Sequence, residues 1–217
     1  RSYPLILIIS GIVFELEGTL VESLPRIASA LNLALQDHGL STFTHEEITE
    51  FIGNGAQVLA EKALGDRKDE LGPQLLKGFQ THYDEEWKTG TTIYPGMIEL
   101  LDQCREAKLP IGVLSNKPHP FTQAIIHKLF GTSIFDPVEG HQDEFPKKPD
   151  PTTAHRIIAT WRLTPEEVAY VGDSTVDLAT AQNGNMVPAI VSWGYGTPEN
   201  WPLLESTTAL SDFLDLP

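Results

Sequence analysis

Cysteine is almost missing from this chain: Cys104 is the only one in 217 residues. No intrachain disulfide can form, which fits a reducing compartment and a cytoplasmic location. Basic residues are scarce as well. Lys and Arg number 15 against 30 Asp and Glu, a formal charge of −15. That balance argues against a nucleic-acid partner, because a phosphate backbone needs clustered Lys and Arg. It also repels an anionic substrate at long range, so a phosphate site here must concentrate positive charge through a few lysines or a metal. The apolar run from Leu5 to Phe14 is too short to span a membrane and is broken by Ser10-Gly11. No small-residue cleavage site follows it, so it reads as a central strand rather than a signal-peptide core. The seven histidines show no ligand spacing and none is assigned to a metal. Internal repeats and low-complexity segments are absent.

What is present fits a globular protein, with 41% apolar and 21% charged residues. The length suits one ordinary domain, or a core with a smaller insert. After residue 92 helix and strand alternate. Helical stripes are expected over Met97–Ala107, Phe121–Phe130, Pro151–Trp161 and Thr175–Gln182. Short apolar strands are expected at Pro110–Leu114, Val168–Val171 and Val187–Val191. This order predicts an α/β fold with a doubly wound parallel sheet. Cys104 shares the stripe of Met97, Leu100 and Leu101, which makes it a core residue.

Residues 23–90 read differently. Leu24, Ile27, Leu31 and Leu35 form a helical stripe, and Gly39 follows as a stop. Thr44-His45-Glu46-Glu47 fits a capping box. Leu75, Leu76, Phe79 and Tyr83 mark another stripe, closing at Gly90. No strand pattern appears, so the stretch reads as a helical module inserted after the first strand.

Ligands of open α/β sheets bind at the carboxyl ends of the strands. Four candidate groups fall there. They are Glu15 with Glu17 before the Gly18-Thr19 turn, Ser115-Asn116-Lys117, Lys148, and Asp173 with Asp177. Singly, each has a commonplace explanation. Ser115-Asn116 suits a turn, Lys147-Lys148-Pro149 an exposed loop pair, and Asp173-Ser174 a helix cap.

Their order resembles the haloacid-dehalogenase superfamily, whose motifs are D-x-D-G-T, a Ser or Thr, a Lys and G-D-x-x-x-D. Gly172-Asp173-Ser174-Thr175-Val176-Asp177 matches the fourth motif. Leu114-Ser115-Asn116-Lys117-Pro118 and Lys147-Lys148-Pro149-Asp150-Pro151 match the second and third as the phosphoglycolate-phosphatase-like branch writes them. Tyr94-Pro95-Gly96 and Trp193-Gly194-Tyr195-Gly196 also resemble that branch. The resemblance implies a Rossmann-like core over residues 1–22 and 91–217, with an all-helical cap over 23–90. It implies a Mg²⁺-dependent phosphatase that hydrolyses a small phosphorylated metabolite, phosphoglycolate-like, through a carboxylate-phosphate intermediate.

In that reading Glu15 is the nucleophile, Glu17 the acid and base, and Lys148 the neutralising cation. Mg²⁺ is held by Glu15, the carbonyl of Glu17 and Asp173, with Asp177 nearby. Gly18, Thr19, Ser115 and Asn116 join Lys148 in binding the phosphate. Phe51-Ile52-Gly53-Asn54-Gly55-Ala56 resembles the cap loop that faces the substrate, which puts Gly53 and Asn54 near it; an ordinary helix-helix turn is the other reading.

The family pattern has Asp where this chain has Glu15, Glu17 and, in most members, Glu22. One extra methylene displaces a carboxylate by about 1.5 Å on a fixed backbone, and a misplacement near 1 Å costs on the order of 100-fold in rate. Three readings therefore stay open: a retuned phosphatase, an impaired phosphate- and metal-binding protein, and a phosphomutase of the same fold. Oligomeric state is not legible.

Overall fold

The computed structural model describes residues 8–217. Leu5, Ile6 and Leu7 of the first apolar run lie outside them. Five parallel strands form the central sheet in the order β5-β4-β1-β6-β7. Their ranges are β1 Gly11–Phe14, β4 Ile111–Pro118, β5 Val138–His141, β6 Val168–Gly172 and β7 Val187–Ile190. The apolar runs explain the middle of the sheet. Ile12, Val13 and Phe14 are fully buried, as are Val168 to Val171, because a parallel strand is covered on both faces. Helices α5 (Met97–Glu106), α6 (His119–Phe130), α7 (Thr152–Thr160) and α8 (Thr175–Asn183) supply the crossovers, and α9 (Thr207–Phe213) closes the chain. The expected α/β architecture with a parallel sheet is what the molecule has. Among the described residues no helix is long and apolar enough to cross a membrane.

Several boundaries differ from those expected. The first strand covers only Gly11–Phe14, and Ile8 is 69% exposed. The neighbours set that limit: β1 pairs with β4 from Ile111 and with β6 from Val168. β4 runs on through Ser115, Asn116 and Lys117 rather than ending at Leu114. β5 was not foreseen. Its sequence, Val-Glu-Gly-His, is a half-buried edge with no apolar run to betray it.

Residues 24–90 hold α1 (Leu24–Asp37), α2 (His45–Thr49), α3 (Ala56–Leu64) and α4 (Lys68–Gly90), and no strand. α1 buries Ile27, Ala28, Leu31, Ala34 and Leu35 at helical spacing and packs along α4. α2 starts at the anticipated capping box, where Thr44 Oγ1 accepts from Glu47 N at 3.2 Å. Where this helical unit leaves and rejoins the sheet domain, β2 (Val21–Glu22) and β3 (Thr92–Ile93) pair antiparallel. That short ladder ties the two crossing segments together.

Candidate active site

Three strand ends meet above the sheet. β1 delivers Glu15 and, one turn on, Glu17; β4 delivers Ser115, Asn116 and Lys117; β6 delivers Asp173. In a regular strand alternate side chains face opposite ways. The pairing of β4 with β5 shifts register between Leu114 and Pro118. That irregularity lets three consecutive side chains of β4 line one cavity.

Glu15 is buried and fully engaged. Its Oε1 accepts from Ser115 Oγ at 2.8 Å, and its Oε2 is in close contact with Lys148 Nζ. Lys148 also donates to Asp177 Oδ1 at 2.6 Å. Asp177 is placed by the cap of α8: its Oδ2 accepts from the backbone N–H of Asp173 and Ser174 at 3.1 Å each and from Ser174 Oγ at 2.8 Å. Far from being an exposed loop residue, Lys148 is 5% exposed. Asn116 fixes it there. Lys148 N donates to Asn116 Oδ1 at 2.9 Å, and Asn116 Nδ2 donates to Lys148 O and to Gly53 O, both at 3.1 Å.

Asp173 is held from two sides. Oδ1 accepts from Thr19 Oγ1 at 3.0 Å, and Oδ2 accepts from Tyr195 N at 2.7 Å. Side chains at Gly18 or Gly194 would collide with this carboxylate, and Gly18 also has φ +78°. Gly18 and Thr19 thus cradle Asp173 and are absent from the cavity wall; nor is Asn54 part of that wall. Gly53 and Gly55 do reach it.

Glu17 sits in a second cluster. Its Oε1 meets Lys117 Nζ at 2.6 Å and accepts from Ser23 Oγ at 3.0 Å. Lys117 Nζ also lies 4.2 Å from the centre of the Tyr83 ring, on α4. The sequence placed Lys117 beside Ser115-Asn116 and left it without a role. Its partner across the helical unit, Tyr83, looked like one more residue of a core stripe.

The electrostatics follow from burial. Desolvation raises the Glu15 carboxyl to about 7, with Lys148 pulling it down and Asp177 pushing it up. Desolvation and the Asp177 charge raise Asp173 to about 8. Burial alone would lower Lys148, but Asp177 and Glu15 override it and hold the ammonium well above its usual range. Glu15 and Asp177 therefore share one ammonium, Asp173 stands beside them with no cation of its own among the described residues, and the excess is negative. A divalent cation suits that excess. Among the described residues no three acidic or other ligating side chains converge on one point. Mg²⁺ fits such a set, since it commonly takes one or two carboxylates and completes its shell with water and phosphate oxygens.

The haloacid dehalogenase-like hydrolase family model matches residues 12–191. The chain belongs to this family. Haloacid dehalogenase-like relatives named phosphoglycolate phosphatase come from Cereibacter sphaeroides and Photorhabdus laumondii. The first is 40% identical over 190 residues, covering 85% of this chain and 86% of the relative. The second is 33% identical over 212 residues, covering 96% and 91%. A solved structure from Haemophilus somnus, described as a predicted phosphoglycolate phosphatase, superposes with a TM-score of 0.82. It is 27% identical and covers 90% of this chain and 89% of that one.

Proposed function

We propose that this haloacid dehalogenase-like protein is a Mg²⁺-dependent phosphatase acting on a small phosphorylated metabolite of the phosphoglycolate class. The observation that carries the reading is Glu15, a buried carboxylate aimed by Ser115 and Lys148 at the floor of a cavity. Glu15 attacks phosphorus while the bond to the leaving oxygen breaks. Glu17 gives that oxygen a proton, then takes one from the water that splits the Glu15–phosphate bond. Inorganic phosphate and free Glu15 result. Ser115 and Lys148 hold the phosphoryl oxygens, and Asn116 holds Lys148. Mg²⁺, bound by Glu15, the carbonyl of Glu17 and Asp173 with Asp177 beside them, would offset charge on the phosphoryl group. The substrate class rests on the named relatives at 33–40% identity and on a cavity of only about 70 Å³. The helical unit over residues 23–90 acts as a cap, hinging where β2 and β3 join it to the sheet domain.

One observation favours a second reading, an impaired phosphate- and metal-binding protein. Glu17 Oε1 is already committed to Lys117 and Ser23, and both site glutamates are a methylene longer than the aspartates of the family motif. Mg²⁺-dependent phosphate release from phosphoglycolate and p-nitrophenyl phosphate separates the two. Activity no greater than that of Lys148→Ala establishes the second. A rise in turnover in the Glu15→Asp, Glu17→Asp double variant supports the first and shows that the extra methylenes slow it.

A further inference from the structure

Tyr83 is the oddest polar group in the cavity. It is 1% exposed, and among the described residues its hydroxyl meets no acceptor; the polar group beside it is the Lys117 ammonium, which can only donate. The ring is packed tightly. It stacks on Phe79 of α4 at 5.5 Å and takes the edge of Phe121 of α6 at 5.3 Å. The hydroxyl therefore cannot swing away to find water. Burial pushes its titration up to about 12, against the pull of Lys117, so it stays a neutral O–H donor. A buried donor left unpaired is costly, and such a group in a native cavity calls for a ligand acceptor.

Lys117 stands beside it, 7% exposed, with its ammonium over the ring and its other side on Glu17. Lys148 is saturated by two buried carboxylates. Lys117 has one, and that carboxylate is shared with Ser23. The cavity therefore has two cationic ends. Ser115 and Lys117 lie two residues apart on β4, roughly 6–7 Å along the strand. Resting on the phosphatase reading above, we propose that Lys117 and Tyr83 form the subsite for a carboxylate at the far end of the substrate, one or two carbons from the phosphate. The incoming carboxylate accepts from the Tyr83 hydroxyl and competes with Glu17 for the Lys117 ammonium. Glu17 is loosened as the acidic end seats. Substrates with a neutral end leave the Tyr83 hydroxyl unpaired and Glu17 tied down. Selectivity arises here from one group of the helical unit and one of the sheet domain, so it is complete only when the two are closed on each other.

The test uses two non-hydrolysable phosphonates of the same shape, 3-phosphonopropionate and propylphosphonate, bound to the Mg²⁺-loaded protein and followed by calorimetry. The parent is expected to bind the carboxylated one at least about 20-fold more tightly, the range for a hydrogen-bonded charge. Lys117→Met should bring that ratio below about 3. Tyr83→Phe should cut it about 5- to 10-fold, with a melting temperature equal to the parent's or higher, because the hydroxyl it removes has no acceptor. Equal binding of the two phosphonates by the parent overturns the inference while leaving the phosphate site intact. A ratio unchanged by Tyr83→Phe also overturns it, even if Lys117→Met fails to fold. If neither phosphonate binds, the phosphatase reading falls, and this inference with it.

Discussion

Replacing Lys148 by Met keeps most of the stem and removes the charge that Glu15 and Asp177 share. Removing one partner of a buried ion pair costs about 3–5 kcal/mol when the other charge is stranded. Glu15 has an escape. Its carboxyl already titrates at about 7, so below that pH it takes up a proton and the penalty shrinks. The sign follows from linkage. A carboxyl raised on folding lowers stability as pH climbs from its unfolded value, 4.5 for Glu15, to its folded one. In the parent that loss is complete near pH 7. In the variant, without Lys148, the folded value moves higher and the loss continues at about 1.4 kcal/mol per pH unit. Between about pH 7 and 8.5 the gap between variant and parent should therefore widen by about 2 kcal/mol. For a chain of this size that is roughly 4–8 °C in melting temperature. Melts of both proteins in chelator, at about pH 6, 7 and 8.5, read it directly. A gap that is constant across that range refutes the assignment of Lys148 as the partner of a buried, easily protonated Glu15.

Mg²⁺ binding near pH 7 should release protons, because Glu15 at about 7 and Asp173 at about 8 are partly protonated without it. Calorimetry in two buffers of different ionisation enthalpy gives the number, and a heat that does not depend on the buffer would contradict the raised carboxyls. Gly18→Ala drives a methyl into the Asp173 carboxylate at φ +78°, and should lower stability by about 1–3 kcal/mol and weaken Mg²⁺ binding together. Buried Cys104, its thiol pushed up to about 12 by burial, should resist thiol reagents at about pH 8 until the chain is unfolded; prompt labelling of the native protein would show that α5 is not packed as described.

The sheet domain was legible wherever burial on two faces writes an apolar run, as at Val168 to Val171. It was not legible at β5, where one edge strand of four residues carries a Glu, a Gly and a His. Asp177 is legible through the motif resemblance of Gly172-Asp173-Ser174-Thr175-Val176-Asp177, and in the fold it also completes the cap of α8. The motif resemblance makes Gly18 and Thr19 phosphate binders; what it does not show is that the fold also sets them against Asp173, more than 150 residues away. Pairings of that length leave no local trace. The link between Lys117 and Tyr83 was hidden for the same reason: each obeys its own local pattern, and only packing α4 against the end of β4 brings them together.

Asn116 divides its three hydrogen bonds unequally: two to the backbone of Lys148 and one to Gly53 in the helical unit. On the cap motion proposed above, lifting that unit would cost Asn116 one bond, worth about 1 kcal/mol net, and leave the pair that aims Lys148. Lys117 would instead leave the Tyr83 ring behind. The proposed phosphate grip would thus be a standing fixture of the sheet domain, ready before a ligand arrives and undisturbed when product departs. The proposed grip on the other end of the ligand would be rebuilt at each closure.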